Sequence, residues 1–149
     1  MPLPWMGSVP RRCATLMVAL FFGVAGGPAR PDERPIVVKR ETTAGHDVRV
    51  RGFAEFDGNC ARVPGQTVKV VDAPAHGRVD KRPEPVAIGP NWVGRANCEG
   101  KTLEGITVYY VPEAGFTGTD RFSIDVSYTT RRTVRAEVEV EVRYAPSSP

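Results

Sequence analysis

Three cysteines, two histidines and 17 acidic residues are the side chains with which this chain could do chemistry. Zinc or copper chemistry needs three or more His, Cys or carboxylate ligands in register, and His46 and His76 are too few. A serine nucleophile would need one of those histidines as its base, and no G-x-S-x-G turn is present. Phosphate-cradling G-x-G-x-x-G and G-x-x-x-x-G-K-[ST] loops are also missing. Methionines that could hold copper are confined to Met1, Met6 and Met17, all near the N-terminus. Paired acids for glycoside hydrolysis are numerous enough, but most alternate along strands, where a solvated face explains them. No catalytic residue, cofactor or metal is therefore expected, and the chain reads as a non-enzyme.

The cysteines point to a compartment instead. Residues 1–29 read as a signal peptide. Arg11 and Arg12 form its basic start, and Ala14 to Ala25 is an uncharged apolar run of about 12 residues. A membrane-spanning helix needs about 20. Cleavage after Gly26 or after Ala29 would each leave a small residue at the junction. Cys13 precedes the apolar run, which argues against lipid anchoring there. Cys60 and Cys98 remain, and an even count in an exported chain reads as a disulfide, with two free thiols or a metal pair as the alternatives. Their bond would close a loop of about 38 residues, worth about 3–4 kcal/mol in the loop-entropy account. A periplasmic or secreted location follows, without stable membrane insertion after cleavage.

Charge narrows the partners. Removing Arg11, Arg12 and Arg30 from the 20 basic residues leaves 17, against 17 acidic. Arg121, Arg131, Arg132 and Arg135 form a local basic group, but Glu137, Glu139 and Glu141 follow at once. A nucleic-acid track is not expected.

The elements that would carry these residues follow a period of two. In Val134–Tyr144, valines and Tyr144 share one face while Arg135, Glu137, Glu139, Glu141 and Arg143 share the other. Phe122–Tyr128 alternates in the same way, and residues 129–132 join the two as a hairpin. Asp47–Arg51, Gln66–Val71 and Ile106–Val111 read as further strands, with Gly52 marking a bulge or a close backbone approach. Short edge strands are expected at Ile36–Val38 and Gly77–Asp80, and an irregular stretch from Lys81 to Gly105. Residues 30–149 thus form one all-β domain, an antiparallel two-sheet sandwich with an ordered core over about 35–144.

Two segments carry a resemblance. Pro74-Ala-His76-Gly77-Arg-Val79 precedes Tyr110-Val-Pro112-Glu-Ala-Gly115-Phe116-Thr-Gly118-Thr-Asp120-Arg-Phe122. The second segment resembles the Y-x-P-x-x-G-F-x-G-x-D-x-F motif of the bacterial cadherin-like or Ig-like repeat, and the likeness covers about residues 35–144. The resemblance implies an Ig-like, Greek-key β-sandwich, although only one copy of the motif occurs here. Read as residues, Tyr110 ends a strand and Pro112 stops its ladder. Gly115 and Gly118 permit positive φ, Phe116 plugs an end of the sandwich, and Phe122 begins the next core strand. Asp120 is expected to accept backbone N–H bonds, with calcium ligation as the competing role. His76 is expected to pack over its turn.

The function expected is binding of a protein or envelope polymer. Its contact surface would be the 84–105 loop, whose Trp92 either anchors a partner or covers the core's open end. A structural subunit of a surface assembly is the main alternative, and a glycan-active enzyme the remote one.

Overall fold

Among the described residues, alternation along the chain becomes nine strands and no helix. The computed structural model describes residues 34–90, 92–93 and 96–144. The signal peptide read over 1–29 and the tail from Ala145 lie outside the described residues. The strands are β1 (Ile36–Thr43), β2 (Val48–Phe53), β3 (Thr67–Asp72), β4 (Gly77–Ala87), β5 (Trp92–Val93), β6 (Ala96–Asn97), β7 (Thr102–Pro112), β8 (Gly118–Ser127) and β9 (Thr133–Arg143). One sheet has the order β1-β9-β8-β3 and the other β2-β7-β4, while β5 and β6 form a separate ribbon. The connections β1–β2, β2–β3, β3–β4 and β7–β8 each cross from one sheet to the other, in the Greek-key manner.

The two inner faces meet in one core. Ala136, Val138, Val140 and Val142 of β9 pack with Phe122, Ile124 and Val126 of β8. Val50 and Phe53 of β2 and Val108 and Tyr110 of β7 face them from the other sheet. Ile124, Val108, Val126 and Val140 are fully buried, each contributing on the order of 1.5–3 kcal/mol by leaving water. Tyr144 departs from the expected inner face and is 72% exposed, because β9 ends at Arg143, one residue earlier.

Four further details depart from the sequence reading. First, β1 runs the full eight residues from Ile36 to Thr43 and pairs parallel to β9, the one parallel pairing among the described strands. Second, the register shift in β2 falls between Arg49 and Arg51, not at Gly52. A side chain at Gly52 would meet Val86 at 2.9 Å, so that glycine is needed for packing. Third, much of the 81–105 stretch is not irregular, since β4 continues to Ala87 and β7 begins at Thr102.

Prolines survive in β4 for a geometric reason. Glu113 N–H donates to the His76 carbonyl and Ile88 N–H to the Lys101 carbonyl. Even-numbered β4 residues therefore bond to β7, and odd-numbered ones turn their N–H groups away from the sheet. Pro83 and Pro85 take odd positions on an edge strand and remove no ladder bond. Fourth, Tyr110 does not end its strand: β7 runs on to Pro112, which pairs with Gly77. The missing N–H of Pro112 faces the β2 side, where pairing begins only at Tyr110.

Candidate functional site

The motif residues converge at one end of the sandwich. The Asp120 carboxylate, 3% exposed, receives four donors. Oδ1 accepts the N–H groups of Ala75 at 3.0 Å and Arg121 at 2.9 Å. Oδ2 accepts His76 N–H at 2.8 Å and the Tyr110 hydroxyl at 2.9 Å. That hydroxyl also lies 3.2 Å from the His76 carbonyl. The carboxylate thus ties the β3–β4 turn to β7 and β8. Burial alone would push its pKa up, but the hydrogen bonds from His76, Ala75, Tyr110 and Arg121 outweigh it and hold it below the usual carboxylate value. Burial, then the neighbouring Asp120 carboxylate, push the Tyr110 hydroxyl well above its ordinary value.

The surrounding residues complete this latch. A side chain at Gly77 would strike the Tyr110 ring at 2.6 Å, so only glycine lets the ring lie there. Tyr110 stacks on Phe122 at 6.0 Å, and the exposed His76 ring stacks on Phe116 at 4.4 Å. Phe116 is half-buried against the main core. Gly115 and Gly118 have φ of 79° and 127°, and so shape the β7–β8 connection. All of this is the chemistry of a structural carboxylate with its oxygens filled.

The opposite end carries the disulfide. Cys60 and Cys98 are bonded, with Cα atoms 5.6 Å apart. With Ile88 they form a second apolar cluster, packed by Ala54, Phe56 and Leu103. Cys60 itself is left-handed, with φ of 59°, in a turn organised by Asp57. The Asp57 Oδ1 atom accepts Asn59 N–H at 2.8 Å and Ala61 N–H at 3.0 Å. Across from it, Ile88 N–H donates to Lys101 C=O at 2.8 Å and Gly100 N–H to Ile88 C=O at 2.9 Å. Beyond that closed base, Trp92 pairs with Asn97 and Val93 with Ala96. The loop expected at 84–105 is therefore a long β4–β7 hairpin with a pinned base and a small ribbon at its end.

One contact at this end was invisible to sequence reasoning. Glu55, 8% exposed, accepts the Thr129 N–H at 3.0 Å and its hydroxyl at 2.6 Å. This fastens the β2–β3 connection to the β8–β9 turn. The only local signal is an acid flanked by Phe53, Ala54 and Phe56.

Both outer faces are ionic. On the four-stranded sheet, Glu139 takes Lys39 at 3.1 Å and Arg121 at 2.8 Å, and Arg135 holds the Asp125 carboxyl below its usual range. A groove of about 440 Å³ on this face is lined by Lys39, Asp72, Arg121, Ser123, Glu137 and Glu139, among others. On the three-stranded sheet, the Arg82 guanidinium lies 4.0 Å over the Tyr109 ring and pairs with Asp47 and Asp80. The Thr107 hydroxyl, then Tyr109 and Arg49, hold Glu84 below its ordinary value despite some desolvation. Among the described residues no group of three or more His, Cys, Asp or Glu is placed to hold a metal.

No protein-family model matches the chain, and a search of curated proteins finds no relative.

Proposed function

We propose that this chain is an exported, non-enzymatic Ig-like module that binds a protein or an envelope polymer through the β5–β6 end of its long hairpin. The observation carrying this reading is the pinned base. A disulfide, an apolar cluster and three backbone hydrogen bonds hold residues 88 and 98–101, and the ribbon bearing Trp92 extends from them. Binding segments on loops held by a rigid sandwich lose little entropy on contact. The kinship proposed with bacterial cadherin-like repeats rests on the motif residues and on the sheet orders β1-β9-β8-β3 and β2-β7-β4. Export agrees with a Cys60–Cys98 bond, since structural disulfides persist in oxidising compartments.

The test has two arms. Mass spectrometry of the native protein is expected to find an N-terminus near Gly27 or Arg30, and a cytoplasmic chain retaining Met1 refutes export. Purified mature protein is then titrated with fractionated envelope polymers and surface proteins. Binding that is lost in Trp92→Ala while the melting curve is unchanged supports the ribbon as the contact. Binding indifferent to Trp92→Ala moves the contact elsewhere. Turnover of a glycan or peptide that vanishes with an Asp or Glu substitution replaces the reading with an enzyme.

A further inference from the structure

An edge strand exposes a row of backbone N–H and C=O groups that pairs with any extended chain unless something spoils the match. Among the described strands, three of the four sandwich edges are spoiled in the backbone itself. Along β4, Pro83 and Pro85 occupy the outward N–H positions. The β2 ladder shifts register between Arg49 and Arg51, and the β3 ladder between Val70 and Asp72. β1 has neither proline nor register shift, and its eight residues stay in step with β9 from Ile36 to Thr43. Whatever keeps this edge from taking up a further strand must lie in its side chains and turn.

Alternation says which β1 groups face outward. Ala44 N–H donates to the Arg143 carbonyl, so even-numbered residues turn to β9. Val37, Lys39, Glu41 and Thr43 then turn N–H and C=O away from the sheet. Arg40 shares the parity of Val38, which is buried in the core, so its side chain leaves β1 toward the other sheet. There Nη1 donates to the Lys39 carbonyl at 2.8 Å and Nε to the Arg49 carbonyl of β2 at 3.2 Å. One guanidinium thus occupies a carbonyl on each of the two edges that meet along this side. The Thr43 carbonyl is taken as well, by His46 N–H at 3.0 Å. An added antiparallel strand exchanges N–H and C=O bonds with every second residue, so it would lose one bond at Lys39 and another at Thr43.

We propose that Arg40 keeps β1 closed to strand addition, so that the sandwich stays a single unit and meets partners by its ends or faces. Inward-pointing charge on an edge strand is one way natural sheets refuse a further strand. Here the guanidinium must first surrender its carbonyls, and would then lie charged against the incoming chain. Self-pairing is refused by charge too: an antiparallel second copy centred on Lys39, Arg40 or Glu41 sets that residue against its own like charge. The matching cation on the opposite side of the sandwich is Lys81, whose Nζ donates to the Val68 carbonyl of β3 at 3.1 Å. Along that side the β3 register shift and the β4 prolines act as well, whereas the middle of β1 depends on Arg40. None of this rests on the ribbon reading above.

Sedimentation equilibrium of the mature, disulfide-bonded protein over a concentration series is the test, with hydrogen exchange to locate any contact. The parent protein is expected to keep the mass of one chain throughout. Arg40→Thr uncovers both carbonyls with a residue suited to strands, and its mass is expected to rise with concentration. The Val37, Lys39 and Glu41 amides are expected to exchange fast in the parent and to become protected in that associated form. Arg40→Gln, nearly as long but uncharged, is expected to behave alike and stands in if Arg40→Thr fails to fold. Lys39→Thr removes the same charge one residue away but leaves the guanidinium in place, and is expected to remain a single chain. A parent protein that self-associates, or Arg40→Thr and Arg40→Gln chains that stay single, overturns the proposal. So does a Lys39→Thr chain that associates as strongly as they do, or an associated form whose β1 amides still exchange freely.

Discussion

Four donors on one buried carboxylate make Asp120 the residue on which an end of the sandwich depends. Hydrogen bonds to a charged acceptor are each worth about 1.5–3 kcal/mol net, and leaving their donors unpaired costs more. Asp120→Asn keeps the shape but has only one oxygen to offer, so it is expected to lower stability by about 2–4 kcal/mol in denaturant titrations. The pH dependence has a definite sign. The folded carboxyl titrates below the unfolded value of about 4, so its contribution is full above that pH and disappears as pH falls through the folded value. The stability gap between the parent protein and Asp120→Asn is therefore expected to be wide near neutrality and to close on acidification. A gap that stays constant down to strongly acidic pH would show that the carboxylate's charge contributes nothing.

At the scale of elements, the β4–β7 hairpin is the feature with the most at stake. Its inner half is held by the two-sheet core, whereas its outer end relies on the small cluster around Cys60, Ile88 and Cys98. The bond spans 38 positions, and its loss is expected to cost about 2–4 kcal/mol. Total stability of a domain this size is on the order of 5–15 kcal/mol, so the sandwich should survive the loss. Cys98→Ser is expected to retain the far-UV sheet signature, melt earlier and become cleavable by protease between residues 88 and 101. Unchanged melting and unchanged protease resistance would mean that the backbone bonds at Ile88 and Lys101 suffice to hold the base.

Across the whole molecule, the apolar core and the ionic faces contribute unequally. The ion pairs on both outer faces keep their carboxylates well exposed, from 26% at Asp125 to 60% at Glu41. Exposed pairs are worth about 0–1 kcal/mol each and are screened by salt. Raising the salt to about 1 M, where the screening length is about 3 Å, is expected to change the unfolding midpoint little. A collapse of stability in high salt would assign the faces a structural weight that their exposure argues against. They keep the sheet faces in water and apart from one another.

Period-two patterning in Val134–Arg143 and Phe122–Ser127 determined the all-β sandwich, because which face a strand side chain takes depends only on its parity. The cysteine count likewise announced the Cys60–Cys98 pair, and the glycines at 115 and 118 announced a tight connection. Partners far apart in the chain were decided by tertiary structure alone. Pro83 and Pro85 fit β4 only because β7 lies on the side away from their missing N–H groups. The parallel seating of β1 on β9, the bulge at Val50 and the bond between Glu55 and Thr129 all join segments with no local signature of each other. Local sequence specifies the direction in which a side chain or a backbone donor points, and only the folded neighbour specifies what it meets there.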